Sequence, residues 1–363
     1  MAKSWFTQLN NFAIKISVKR YLTRAKNFSE ISFESLKKVA SAIGIVLLLA
    51  FFFICFEIYV PLNPGSHETI VYTAQKGIGD DEIAKDLLKL GIIRNNYFFR
   101  LYVVVTLQHS RLQAGEYNLS PKMSIYQIVK KMVRGDVIRD TVVILEGWDI
   151  SDIGKYLESK NICSQNYFIS LTQKDYSKEF DFLQDKPKNA GLEGYIFPDT
   201  YQIAKEETCE EILNATLANF DKKLTPDLRE EIKKQNKSIF DIVTMASIIE
   251  KEVRALDDKK ILSGIFWKRL EINMPLQSCA TINYITGKND PGALLKDIQI
   301  DSPYNTYKYR GLPKGPISNP GINSIIAAIY PKQTNYWYYL SNGKTIFSET
   351  LEQHNAARVK YLK

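Results

Sequence analysis

The stretch Ser238–Arg254, S-I-F-D-I-V-T-M-A-S-I-I-E-K-E-V-R, is the one from which the rest of the chain is read. Ser238 with Asp241 makes a capping-box start, Asp standing for the usual Glu, and predicts a helix. At about 100° per residue, Ile239, Val243, Ala246 and Val253 fall on one stripe. Glu250 falls inside that stripe, one turn after Ala246, whereas Glu252 projects elsewhere. A carboxylate among apolar neighbours is costly unless it is paired or protonated. Two readings follow. In one, Glu250 is a structural carboxylate neutralised by Lys or Arg. In the other it is a general acid, a carboxyl kept protonated by its surroundings near neutral pH. The helix alone favours the first reading, and the residues downstream favour the second.

Downstream, Ile261–Leu270 reads as an amphipathic helix, and Met274–Gly287 as a turn or strand followed by a short helix. Residues Asp301–Gly321 carry Pro303, Pro313, Pro316 and Pro320 with Gly311, Gly315 and Gly321, which excludes a regular helix or strand. The same loop holds Tyr304, Asn305, Thr306, Tyr307 and Tyr309. Aromatic faces and amide or hydroxyl groups on a stiff loop suit a carbohydrate; the plainer reading is a structural Ω-loop. A loop side chain carries little core packing, so Asn305→Ala is expected to leave the fold intact. Upstream, Gly191–Tyr201 reads as an ordered loop with Glu193 and Asp199 as candidate site carboxylates, although loop charges are more often simply solvated. Trp337–Ser348 reads as a hairpin turning at Asn342-Gly343.

With 363 residues, 45% hydrophobic and 24% charged, the chain is long enough for two or more globular domains. Residues 1–38 hold net +6 of the chain's +8, so little basic charge remains for a nucleic-acid groove on the folded part. The uncharged run Val39–Phe56, extended to Val60 past Glu57, is long enough to span a bilayer. A cleaved signal peptide fits worse, because the basic region before it is long and no small-residue cleavage site follows. The basic flank predicts a cytoplasmic tail, with residues 61–363 on the other side. Trp5, Leu9, Phe12 and Ile16 recur at helical spacing in that tail, which reads as a helix lying on anionic lipid or as a disordered basic arm. Cys55 lies in the span; Cys163, Cys209 and Cys279 cannot all pair, and no disulfide framework is readable. The three scattered histidines give no zinc spacing, and no cofactor is expected.

An internal repeat follows Pro61, Pro64 and Gly65. A strand-like run at 69–73, Gly77, then Ile83, Leu87 and Ile92 matches a run at 141–145, Gly147, then Ile153, Leu157 and Ile162. Between the copies lie an apolar helix over 97–107, a strand and turn over 114–124, and a helix over 125–133 ending at Gly135. The first copy with its Gly115-Glu116-Tyr117 segment resembles LysM-like glycan-binding modules; a plain spacer is the alternative. Residues 163–190 read as a polar surface excursion, and 207–237 as helix interrupted near Pro226.

A-S-I-I-E-K-E (246–252), M-P-L-Q-S (274–278), Y-N-T-Y (304–307), G-L-P-K-G-P-I-S-N-P-G (311–321), E-G-Y-I-F-P-D-T-Y (193–201) and F-S-E-T-L-E-Q-H-N (347–355) together resemble the YceG-like family of endolytic murein transglycosylases. The resemblance implies an α+β architecture: a cytoplasmic tail (1–38), a transmembrane helix (39–60), a small LysM-like β/α domain (61–140) and a mixed α+β catalytic domain (141–363). It implies an inner-membrane protein with a periplasmic catalytic domain that cuts nascent peptidoglycan internally, leaving 1,6-anhydro-muramyl ends. The implied partners are glycan strands, the membrane and the synthases that make the strands, with no nucleic acid. The family's catalytic glutamate falls on Glu250. Gln277, Tyr304, Asn305, Thr306, Tyr307, Glu193 and Asp199 are the expected substrate contacts. Two positions depart from many members: Cys279-Ala280 stands where they have Asp-Pro, and Thr345 where they have His.

Lytic chemistry needs one carboxyl. It protonates the leaving oxygen and then accepts the proton of the sugar's own 6-hydroxyl, whose attack is intramolecular. On this reading Glu250→Gln keeps or raises stability. Two other classes stand beside it: a non-catalytic glycan-binding scaffold that partners the synthesis machinery, and a hydrolase using Glu193, Asp199 or Asp301 as a second carboxylate.

Overall fold

A computed structural model describes residues 2–205, 207–288, 294–341 and 343–361; before residue 33 it describes side chains only at Arg20 and Leu22. The proposed lipid-facing set Trp5, Leu9, Phe12 and Ile16 and the turn residue Asn342 lie outside what is described. The architecture is mixed α and β, in two compact units, Met1–Ile138 and Arg139–Lys363.

In the first unit, helix α1 runs Ala2–Tyr59, and its part Phe33–Tyr59 is long and apolar enough to cross a membrane. Strand β1 (Ile70–Ala74), helices α2 (Asp80–Lys89) and α3 (Asn96–Val105), and strand β2 (Gly115–Leu119) follow. β1 and β2 pair antiparallel, with Ile70 opposite Leu119 and Ala74 opposite Gly115. Helix α4 (Ile125–Arg134) starts on a Ser124/Gln127 capping box and stops at Gly135 in the left-handed region. Ile83, Leu87, Phe99, Tyr117 and Ile128 close one apolar core between the strand pair and these helices.

The second unit opens with the second copy of the repeat: β3 (Arg139–Val143), α5 (Ile150–Ser159), α6 (Gln165–Leu171) and β4 (Thr200–Ala204), with β3 and β4 again antiparallel. The repeat is therefore strand–helix–helix–strand. Gly77 and Gly147 sit at φ 87° and 79° in equivalent turns. Both first helices end through a left-handed residue, Gly91 or Asn161, after which Ile92 and Ile162 donate to Leu87 and Leu157 at 2.9 and 3.0 Å. The second half is hard to see in sequence because 28 residues separate α6 from β4. Much of the expected excursion over 163–190 is exposed, but it also sends Tyr176, Phe182 and Leu183 into the unit's core, and Leu192 and Tyr195 of the loop after it are buried there too. A disulfide also joins Cys163 to Cys209, with Cα atoms 6.0 Å apart, a pairing that could not be read from the sequence, and Cys279 is left free.

Helices α7 (Cys209–Lys223) and α8 (Pro226–Lys234) follow, Pro226 opening the second. Helix α9 (Ile239–Glu252) carries the expected capping box. Its burial is broader than one stripe: every residue from Ile242 to Ile249 is buried, because α8, α10 (Leu256–Glu271), α11 (Cys279–Thr286) and α12 (Ile322–Ile329) all pack on it. A helix enclosed on all sides is apolar all round. Strands β5 (Tyr338–Ser341) and β6 (Thr345–Ser348) form the expected hairpin, and α13 (Leu351–Tyr361) packs on it.

Candidate active site

α9 ends at Glu252, and Val253 is already extended. The end of this central helix therefore opens into a groove of about 560 Å³ lined by Glu146, Glu250, Glu252, Asp258, Lys344 and Thr345 among others. The Glu250 side chain is only 8% exposed, and its Oε1 accepts from Lys259 Nζ at 2.9 Å. Lys259, from α10, is itself 3% exposed. Oε2 of Glu250 accepts from Gly321 N–H at 3.0 Å and from Ser324 Oγ–H at 2.7 Å, both at the start of α12. Glu250 is thus ion-paired, as the structural reading has it, and also lines the groove, as a candidate acid would. The expected gain in stability from Glu250→Gln is overturned, because the change would leave Lys259 buried without a counter-charge.

Glu252 leaves the helix end on another side, toward α11 and β5. It accepts from Ser278 Oγ–H and from Ala280 N–H, and Tyr339 bonds to it; burial pushes its pKa up. Glu146 follows β3 and lines the groove without a hydrogen bond or ion-pair partner among the described residues. Burial raises its pKa, the charge of Glu250 raises it further, and Lys259 opposes both. Gly321 lies between the two carboxyls: its N–H meets Glu250, and a Cβ on it would stand 1.9 Å from Glu146 Oε1.

A second, larger cavity of about 750 Å³ holds Glu193 and Tyr304, with Tyr284, Asp149, Asp152 and Lys314. The rings of Tyr284 and Tyr304 lie 5.1 Å apart. Glu193 accepts from Ile150 N–H at 3.1 Å and Asn319 Nδ2–H at 3.0 Å, and burial pushes its pKa up to about 8. Asn319 ties the walls of the two cavities together. Its Oδ1 accepts from Gly194 and Ile196 N–H, its Nδ2 donates to Glu193 and to Trp148 O, and its backbone pairs with Gly147 and Trp148. The N-P-G turn that follows presents Gly321 to Glu250.

The remaining expected contacts sit differently. Asn305 is fully buried; its Nδ2 donates to Ile298 and Ile300 carbonyls at 2.9 and 2.8 Å, and its Oδ1 accepts from Tyr307 and Lys308 N–H. It clamps the loop, so the expectation that its side chain is dispensable for the fold is overturned. Thr306 is buried against Thr281 and Ser278. The Tyr307 hydroxyl lies 3.1 Å from Cys279 Sγ, so the departing Cys279 packs on the expected sugar-binding loop. Gln277 is exposed, at φ 56°, its N–H bonded to Thr306 O. Asp199 lies in neither cavity; Asn219 and Thr200 N–H hold it, and these bonds lower its pKa. Asp301 is bonded to Tyr309 and ion-paired with Lys308.

Sequence reasoning missed Glu146, Lys259 and Ser324. Glu146 had one usable signal: it is the acidic residue just before the left-handed Gly147 of the repeat turn, a position the first copy fills with Lys76. Lys259 and Ser324 had none, since only the packing of α10 and α12 on α9 brings them to Glu250. Among the described residues no three His, Cys, Asp or Glu side chains converge as metal ligands.

Residues 72–360 match the family model described as the YceG-like family. A Bacillus subtilis (strain 168) protein named endolytic murein transglycosylase is 33% identical over 316 residues, covering 83% of this chain and 87% of its own length. A Streptococcus pneumoniae serotype 2 protein of the same name is 30% identical over 82% of this chain, which spans 59% of that longer relative. A crystal structure of a yceG-like protein from Listeria monocytogenes is similar with a TM-score of 0.56 and 34% identity, over 80% of this chain and 99% of that one.

Proposed function

Since the chain belongs to the YceG-like family, we propose that it is an endolytic murein transglycosylase, a membrane-anchored lyase that cuts peptidoglycan strands internally and leaves 1,6-anhydro-muramyl ends. One observation carries the reading: Glu250 stands at the open end of an enclosed core helix, facing a groove, ringed by three donors. A carboxyl so held has a fixed position against a bound sugar, which is what proton transfer at a glycosidic bond requires. In the lytic reaction the 6-hydroxyl of the muramyl residue replaces the leaving sugar at C1, and Glu250 exchanges a proton with the reacting oxygens. No water is consumed.

In the second cavity Tyr304 and Tyr284 offer faces, and Glu193 a hydrogen-bonding edge, to sugars flanking the cut. Asn305 and Thr306 act by shaping the loop that carries Tyr304 and Tyr307. Gln277 reaches substrate from outside that loop, and Asp199 acts only by holding β4 and α7 together. The first unit carries glycan on its strand–helix–helix–strand module in the manner of LysM-like domains. The span over 39–60 keeps residues 61–363 outside the cytoplasm beside the synthases, and the Cys163–Cys209 disulfide supports an oxidising compartment.

The test is digestion of purified glycan strands with mass spectrometry of the ends. Anhydro ends from the wild type, with at least a ~10²-fold loss in Glu250→Gln, support the reading. Reducing ends point to a hydrolase, and binding without products points to a scaffold. Because Glu250→Gln strands Lys259 at a cost of roughly 3–5 kcal/mol, the double variant Glu250→Gln/Lys259→Met is measured beside it. It should regain stability and remain inactive.

A further inference from the structure

We propose that Glu146 is the second carboxyl of this reaction, the acid that protonates the leaving oxygen, while Glu250 is the base that takes the proton of the 6-hydroxyl. The inference rests on the lytic reading above and divides between two residues the work that reading gives to one.

The two carboxyls share a groove and a glycine but differ in their surroundings. Glu250 has a lysine, a backbone N–H and a hydroxyl donating to it, one to Oε1 and two to Oε2. A carboxylate held by three donors is fixed in place as a proton acceptor. Glu146 has no donor among the described residues, stands against the charge of Glu250 across Gly321, and holds its proton to higher pH than an ordinary glutamate. Glu250, Lys251, Glu252, Arg254, Asp258 and Lys344 are the charged groups that line the groove with it; the charge of Glu250 opposes its ionisation and Lys259, behind Glu250, favours it. Two neighbouring carboxyls in such different surroundings, one ringed by donors and one with none among the described residues, are suited to divide into base and acid.

The balance closes without a co-reactant. The Glu146 carboxyl gives its proton to the glycosidic oxygen as the C1–O bond breaks. The 6-hydroxyl oxygen of the same muramyl residue bonds to C1, and its proton passes to the Glu250 carboxylate. Glu146 ends ionised and Glu250 protonated, and a proton exchanged with solvent in the groove restores both. Gly321 is then required to be glycine, because any Cβ would displace the Glu146 carboxyl.

The experiment measures kcat, KM and their pH dependence on purified glycan strands for wild type, Glu146→Gln and Gly321→Ala, with melting curves on the same preparations. Glu146→Gln should lower kcat by ~10²–10⁴-fold with little change in KM, melt like the wild type and lose the alkaline limb of the rate profile. Gly321→Ala keeps the N–H to Glu250 and should lower kcat less, shifting that same limb. If Glu146→Gln cuts at the wild-type rate while Glu250→Gln is inactive, Glu250 works alone and this proposal falls with the lytic reading intact. If both variants cut at the wild-type rate, the lytic reading itself falls. A Glu146→Gln protein that melts early leaves the decision to Gly321→Ala, where an unshifted alkaline limb overturns the proposal.

Discussion

Asn305 and Glu193 carry the clearest residue-scale consequences. Asn305 makes four hydrogen bonds from a fully buried position. Asn305→Ala orphans two carbonyls and two N–H groups, and each orphaned group costs about 1–3 kcal/mol before the loop relaxes. Urea unfolding should therefore show a loss of at least ~2 kcal/mol, with activity falling as the loop loosens; an unchanged midpoint would return Asn305 to the role of a free sugar contact. Glu193 titrates near 8 when folded, against about 4.5 unfolded. Between those values the folded protein holds a proton that the unfolded chain has released. Stability from this group is thus complete below about pH 4.5 and drains away as pH rises toward 8. Melting of wild type relative to Glu193→Gln should fall steadily from pH 5 to pH 8, whatever constant offset the amide introduces. A flat difference would place the carboxyl in a wetter setting.

At the scale of elements, the site is a product of helix ends. α9 is enclosed for two turns and then stops, so Glu250 and Lys251 of its last turn reach the groove while Glu252 turns toward α11 and β5. α12 begins on that carboxylate, α10 supplies the buried lysine, and the hairpin β5–β6 forms the far wall. α10 is held in place by Gly264, where a Cβ would lie 2.1 Å from the Lys332 carbonyl oxygen. Helix propensity alone would have Gly264→Ala stabilise by ~1 kcal/mol. The clash is with backbone, which cannot swing aside, so overpacking at about 1–3 kcal/mol should win. Thermal melts should drop, and the Lys259–Glu250 pair should loosen with a loss of activity. A rise in melting temperature would show that the Lys332 segment yields freely.

At the scale of the whole molecule, the disulfide and the apolar helix make one joint prediction about compartment. Cys163 and Cys209 close a loop of 46 residues, and a bridge of that size contributes roughly 2–5 kcal/mol. Protein recovered from cells under thiol-blocking conditions should have both cysteines oxidised, and a reporter active only outside the cytoplasm should work when fused after Lys363. Reduced cysteines together with a cytoplasm-active reporter would reverse the topology. By itself the sequence determined the features carried by local periodicity and turn chemistry: the membrane-length helix, the capping box at Ser238, the first half of the repeat, the irregular 301–321 loop, and Glu250 as an anomalous carboxylate on a core helix. These follow from neighbours within a few residues, where spacing alone fixes which side chains share a face. Tertiary structure alone decided that Glu250 pairs with Lys259, that Glu146 joins it across Gly321, that Asn305 is a clamp, that Glu193 occupies a separate cavity, and that Cys163 meets Cys209. Each of these depends on which elements pack together across the chain, and side-chain burial and proton affinity are properties of that packing rather than of residue order.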